Sequence, residues 1–274
     1  MPSPPSDCAL LILAHGSTEN PDSSQPSWEL ADALQTSGPF SKVYCAFWKE
    51  EPSFRQVWSM IEEREVYAVP NFISEGYFTR QVLPRELGLD GPTTEVGEHL
   101  VHYCDPVGIH PTMTKLLVQR ARDLLPGDLT LSEVSLIIVG HGTNLNKQST
   151  EAIKAQVAAI SAWEEAGESF GEVLDAYMEE APFVADWATL TRFPTVVVVP
   201  FFIADGLHSY QDIPVLLGLE TNPTAAASQQ EVFRRNPTSL QGRTVYYSSA
   251  IGTDPAMATV ILDQVMAFNT THLS

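Results

Sequence analysis

The stretch Val196-Val197-Val198-Val199-Pro200-Phe201-Phe202-Ile203-Ala204-Asp205-Gly206-Leu207-His208 decides the fold. Four β-branched residues in a row suit a strand buried on both faces, as the strands of a parallel sheet are. Pro200 stops the run, and a short loop containing Gly206 brings His208 to the strand's C-terminal edge. In open α/β sheets that edge is where ligands bind. An earlier copy reads Val69-Pro70-Asn71-Phe72-Ile73-Ser74-Glu75-Gly76-Tyr77-Phe78, with Phe78 in the histidine's place. Between 69–89 and 199–219, ten of 21 positions are identical without a gap.

The copy extends in both directions. In the first half an apolar strand at 9–14 ends in His15-Gly16-Ser17, and a helix follows near 28–34. A strand at 43–47 precedes a helix expected from Glu50-Glu51-Pro52-Ser53-Phe54 through residue 61. Then come a strand at 66–69, a helix containing 83–87, a fourth strand at 100–104 and a helix to about residue 125. Pro126-Gly127-Asp128 marks a linker. The order then restarts with a strand at 134–139 ending in His141-Gly142-Thr143, where Asn146 answers Asn20. A helix is expected over roughly 151–165 and a strand near 173–177. Tyr177-Met178-Glu179-Glu180-Ala181-Pro182-Phe183 aligns with Trp48-Lys49-Glu50-Glu51-Pro52-Ser53-Phe54, Trp187 with Trp58, and 245–257 with 101–113.

Four matched blocks in one order make the chain a tandem duplication, with halves 1–127 and 128–274. Alternating strands and helices imply, for each half, a mostly parallel sheet with helices on both faces, a flavodoxin-like α/β domain. Two such domains related by a pseudo-two-fold are expected to leave a cleft between their strand ends. The second half carries an extra segment at 221–242, read as a surface loop, a short helix or a lid.

Composition limits the partners. Fifteen Lys+Arg against 34 Asp+Glu give a formal net charge of −19, which repels a phosphate backbone and argues against nucleic acid. No apolar run is long enough to span a bilayer, and Met1-Pro2-Ser3-Pro4-Pro5-Ser6-Asp7 lacks the order of a signal peptide. Three cysteines, Cys8, Cys45 and Cys104, are an odd number without C-x-x-C spacing. They argue against a disulfide framework and an iron–sulfur cluster, and cytoplasm is the expected location.

Chemistry-bearing residues gather at the second half's strand ends. His141, His208 and Glu179 are each expected just beyond a strand, at one edge of one sheet. Two neutral imidazoles and a carboxylate suit a divalent transition metal with coordination positions left open. A single strand-end histidine more simply caps a loop, but three such residues converging on one edge favour a site. The first half serves as a control: it keeps His15 and Glu50 but has Phe78 where His208 stands. Asp205, matched by Glu75, and Asp212 are candidate acceptors for His208. His110 and Asp254 sit in turn-to-helix loops, while His99 and His102 imitate a metal pair without a supporting carboxylate.

This pattern resembles the class II chelatases of the CbiX/CbiK type, which insert cobalt or iron into sirohydrochlorin. The blocks that carry the resemblance are His141-Gly142-Thr143 after its strand, Tyr177-Met178-Glu179-Glu180-Ala181-Pro182, and 199–208. It implies that His141 and His208 handle the metal with Glu179 beside them; from its own position, His15 either borders the cleft in a polar role or is structural. It further implies a tetrapyrrole substrate, a divalent metal (cobalt, iron or nickel) as co-substrate, no permanently bound cofactor, and a monomer or homodimer. Arg80, Arg85, Arg192 and Lys147 are candidates to meet the substrate's carboxylates. The competing readings are a non-catalytic metal or tetrapyrrole carrier, and a zinc hydrolase, for which no H-E-x-x-H helix exists.

Overall fold

The continuous apolar runs form the central strands. β1 (Ala9–Ala14) and β6 (Val134–Gly140) are buried along their whole length: each is a central strand with a parallel neighbour on both sides, and helices pack on the sheet. The computed structural model describes residues 7–18, 20–142, 147–163, 168–221 and 231–273. It contains two five-stranded sheets of identical plan. The first runs β2 (Lys42–Phe47), β1, β3 (Glu65–Pro70), β5 (His99–Tyr103), β4 (Thr93–Val96). The second runs β7 (Glu172–Tyr177), β6, β8 (Thr195–Pro200), β10 (Arg243–Tyr247), β9 (Thr238–Leu240).

Four strands of each sheet are parallel, in the order expected for a flavodoxin-like domain. The fifth, β4 or β9, is an antiparallel edge strand that the sequence reading did not anticipate. Neither is an apolar run: they read Thr-Thr-Glu-Val and Thr-Ser-Leu. Their signature is the two-residue turn to the next strand, Gly97-Glu98 or Gln241-Gly242, with positive φ at Gly97, Gln241 and Gly242. Within 221–242 the described residues hold α7 (Glu231–Arg234) and β9. The rest of the 221–242 segment read as a loop, short helix or lid, residues 222–230, lies outside the described residues.

One expected helix is absent. Between residues 50 and 61 the chain doubles back on the end of β2: Phe47 N–H donates to Pro52 O at 2.9 Å and Phe54 N–H to Phe47 O at 3.2 Å. Those bonds claim the backbone groups that a helix would need, and only a 3-10 turn at Val57–Ser59 remains. The second half does the same, with Tyr177 N–H donating to Pro182 O at 2.8 Å.

The compact units comprise residues 1–113 with 255–274, and residues 114–254, whereas the sequence repeat divides at 127/128. Two helices account for the difference. In the first unit, α8 (Met257–His272) lies against α1 (Gln25–Ser37) and β3. Its Phe268 packs on Tyr67 and His102, and its Gln264 donates to Pro106 O at 2.7 Å. In the second unit, Thr114 and Arg120 of α3 (Thr112–Asp123) bond to Gln156 of α4 (Lys147–Ser161) and to Ser249 and Asp254.

Each unit keeps a matching tryptophan lock. The Trp58 indole N–H donates to Leu87 O at 3.1 Å, at the end of α2 (Leu83–Leu87). Trp187, opening α5 (Trp187–Leu190), donates to Leu217 O at 3.0 Å, at the end of α6 (Ile213–Leu217). Arg243 lies over the Trp187 ring and donates to the Ala188 and Thr191 carbonyls. His99 takes that place in the first unit, stacked on Trp58 with its ring nitrogens facing Glu63 O and Trp58 O.

Trp187 is fully buried and Trp58 only partly so. Trp187→Ala should therefore cost about 3–5 kcal/mol and Trp58→Ala distinctly less, read from urea unfolding midpoints. Equal losses would contradict this ranking of the two locks.

Candidate active site

The second sheet reverses its strand order at β6, with β7 on one side and β8 on the other. The crevice beyond such a switch point is the preferred ligand position in open α/β sheets. Pairing of Gly140 with Tyr177 and of Val139 with Pro200 brings the three strands to an end together. His141 follows β6 directly. Met178 and Glu179 follow β7, and both their N–H groups donate to His141 O, at 3.1 and 3.0 Å. His208 opens a π-helical turn, His208–Asp212, closed by the Ile213 N–H on His208 O.

The two imidazoles are neighbours, with centroids 5.0 Å apart and planes at 78°. Glu179 Oε1 lies 3.7 Å from His141 Nε2, and Phe202 flanks His208 at 5.9 Å. Phe202 and Met178 are partly buried and rest on the sheet's core. The side chains of His141, His208 and Glu179 are 36%, 44% and 58% exposed, so an incoming ligand can reach them. Among the described residues no three His, Cys, Asp or Glu side chains form a ready metal cage. The arrangement is an open one: two imidazoles with a carboxylate beside one of them.

Ring partners settle the tautomers. His141 Nδ1 faces Gly142 O at 3.1 Å, and His208 Nδ1 faces Asp212 Oδ2 at 2.7 Å. A carbonyl and a carboxylate only accept, so each Nδ1 carries the proton and each neutral ring offers the Nε2 lone pair. Such a pair can bind a divalent transition metal, and the carboxylate or an imidazole can take a proton.

Gly142 makes the close approach possible. It sits at φ +68°, and a Cβ there would lie 2.6 Å from Tyr177 Cβ and 2.8 Å from Glu180 Cγ. Glu180, to which the sequence reading gave no role, accepts from Thr150 Oγ1 at 2.5 Å and braces this corner. Thr143 and Asn146 lie outside the described residues.

The first half corrects one sequence match. Trp48 and Lys49 N–H donate to His15 O as Met178 and Glu179 N–H do to His141 O. The bridge Phe47–Ser53 likewise parallels Tyr177–Phe183. Lys49 therefore stands where Glu179 does, and Glu50 corresponds to Glu180, with its carboxylate accepting Ser17 N–H at 2.9 Å. The adjacent glutamates in both blocks allowed a one-residue slip. His15 keeps its Nδ1 bond to Gly16 O at 2.9 Å, but it faces Phe78 at 5.8 Å, and Phe78 packs on Phe72 and Trp48. This corner holds one imidazole, an apolar ring and a lysine.

The remaining candidates have other partners. Asp205 Oδ1 accepts from Ala250 N–H at 2.7 Å, leaving Asp212 as the acceptor for His208. Asp254 pairs with Arg120 at 2.9 Å, and His110 bonds Thr112; burial lowers the His110 pKa. His102 is buried between Thr93 and Glu65, and burial lowers its pKa below the ordinary histidine value. It makes no pair with His99, since residues three apart on a strand point to opposite faces. Arg80 pairs with Glu75 at 2.6 Å and Arg85 with Glu86 at 2.9 Å. Arg192 precedes β8 and so lies at the edge opposite His208, whereas Lys147 opens α4 on the same edge as His141. A cavity of about 900 Å³ in the first unit is lined by Trp58, His99 and the carboxylates Glu62, Glu95 and Glu98. It suits an anionic ligand poorly.

Comparison with known proteins matches both halves to one family. The CbiX family model covers residues 9–124 and 135–267. The chain is 41% identical over 273 residues to a probable sirohydrochlorin cobaltochelatase of Halobacterium salinarum, covering 93% of this chain and 90% of that one. A sirohydrochlorin cobaltochelatase of Methanopyrus kandleri is 28% identical over 138 residues, which are 48% of this chain and 94% of that protein. Among solved structures, a multi-domain protein of Deinococcus radiodurans with structural similarity to chelatases superposes with TM-score 0.74 at 28% identity. That match covers 94% of this chain and 54% of the other. SirB of Bacillus subtilis with Fe3+ shares the fold at TM-score 0.69 and 16% identity, over 96% and 97% of the two chains. With the family's sequence pattern present in each half, this chain belongs to the CbiX family.

Proposed function

We propose that this chain is a metal chelatase, a lyase that inserts divalent cobalt or iron into sirohydrochlorin, with its working site in the second unit. The observation that carries the proposal is the His141–His208 pair, 5.0 Å apart with both Nε2 lone pairs open and Glu179 beside them. The family membership and the 41% identical relative named as a probable sirohydrochlorin cobaltochelatase support the reaction.

In this reading His141 and His208 present the metal from one side through Nε2, an attachment loose enough to be given up. Two pyrrole N–H protons leave the macrocycle as the metal enters, so the ring gains two metal–nitrogen bonds for each N–H lost and overall charge is conserved. Glu179, exposed and adjacent, takes one proton and an imidazole that has given up the metal takes the other, and both pass to water. Lys147 is placed to meet a carboxylate of the substrate, and screening by salt limits the long-range repulsion from an acidic chain. Partly buried Phe202 and Met178 supply an apolar wall for the macrocycle's face. The three cysteines are buried and none forms a disulfide, which fits a cytoplasmic setting. Among the described residues no helix is long and apolar enough to cross a membrane.

A carrier would bind the same ligands and leave the metallation rate unchanged. The test is to mix purified protein with sirohydrochlorin and Co2+ or Fe2+ without oxygen and follow the absorbance change of metallation. The expected result is a rate above the spontaneous one with at least one of the two metals. Tight binding of the macrocycle without acceleration would make the chain a carrier and overturn the chelatase reading.

A further inference from the structure

The two histidines of the site are oriented by different means. His141 is held by the carbonyl of its neighbour Gly142, and His15 of the first half is held identically by Gly16. That bond comes from the backbone, and it persists in a half whose second histidine is gone. His208 is held instead by a side chain, the carboxylate of Asp212 at 2.7 Å.

The repeat isolates what that carboxylate is for. Both halves build the same π-helical turn, Phe78–Val82 and His208–Asp212, each closed by a backbone N–H on the carbonyl of its first residue. The turn belongs to the fold and needs neither polar side chain. Where the first half has Phe78 in place of His208, it has Val82 in place of Asp212, and Val82 is buried. The aspartate is present where the histidine is and absent where it is not. An ion pair between side chains 44% and 47% exposed adds little to stability, so a purely structural role gives weak grounds for it.

Resting on the functional reading above, we propose that Asp212 is a positioning residue for metal capture: it fixes the His208 ring so that Nε2 faces His141 and the incoming divalent cation. A half-exposed imidazole without this acceptor rotates and divides its time between orientations, which weakens metal binding. Outer partners of metal-binding histidines are generally worth about 10–100-fold in affinity. The macrocycle touches neither oxygen of Asp212 in this scheme, so the effect falls on the metal alone.

The experiment compares wild type with Asp212→Ala, Asp212→Asn and His208→Ala. Cobalt binding to the protein alone is measured by titration calorimetry, and cobalt KM, sirohydrochlorin KM and kcat by the metallation assay. Asp212→Ala should weaken cobalt binding and raise cobalt KM by about tenfold or more, with the sirohydrochlorin KM unchanged. Asp212→Asn keeps an oxygen acceptor and should fall between Asp212→Ala and wild type. Cobalt binding by Asp212→Ala within twofold of wild type overturns the proposal, as does an equal loss in all parameters together with a lower unfolding temperature. The binding measurement decides the matter without turnover. A wild type that binds cobalt but does not metallate would overturn the chelatase reading and leave the role of Asp212 to be judged by calorimetry.

Discussion

The parallel ladder around β6 is the constraint on which the site depends. Its two neighbours, β7 and β8, are fixed in register by pairs such as Gly140–Tyr177 and Val139–Pro200. That register sets where each strand hands over to its loop, and so it sets where His141, Glu179 and His208 emerge. A slip by one residue turns every side chain of a strand to the opposite face. The buried β-branched run of β8 and the fully buried β6 make such a slip costly, because it would also misalign the apolar core. The positions of these three side chains are thus secured by burial at some distance from them.

The duplication separates what the fold requires from what the chemistry requires. Features made by backbone, or by residues facing the core, occur twice: the left-handed glycine after the strand-end histidine, the π-helical turn and the indole bond to the end of the next helix. Of the polar side chains at the site, only His141 recurs, as His15. Lys49, Phe78 and Val82 stand where the second half has Glu179, His208 and Asp212. In the first half His15 lies against the ring of Phe78, so that corner is an apolar contact with a lone imidazole beside it. Replacement at these three positions with the backbone left intact is the outcome expected under the proposal that only the second half binds metal.

Most of this architecture was legible in the sequence, because parallel strands buried on both faces are written as unbroken apolar runs and the repeat made each half a check on the other. The edge strands β4 and β9 were not legible, since an edge strand buries little and its residues are polar. The missing helix after β2 shows a different limit. Its residues have helical composition, but the proline carbonyl returns to bond Phe47 N–H, and that tertiary bond overrides local preference. At the site, the histidines and Glu179 could be named from strand ends alone. The counterpart of Glu179 could not, because adjacent glutamates gave the alignment two registers, and only the backbone bonds to His15 O and His141 O choose between them. The pairing of His208 with Asp212 rather than Asp205 depended on the π-helical turn, whose altered spacing no periodicity in the sequence signals.

The central claim is that one half performs the chemistry. It is tested most directly by measuring cobalt insertion into sirohydrochlorin for His141→Ala and His15→Ala, a matched pair of substitutions at equivalent strand ends with equivalent backbone partners. If the second half alone performs the chemistry, His141→Ala reduces insertion to the spontaneous rate while His15→Ala retains a substantial fraction of wild-type activity. An inactive His15→Ala beside an active His141→Ala would contradict it and move the working site to the first half.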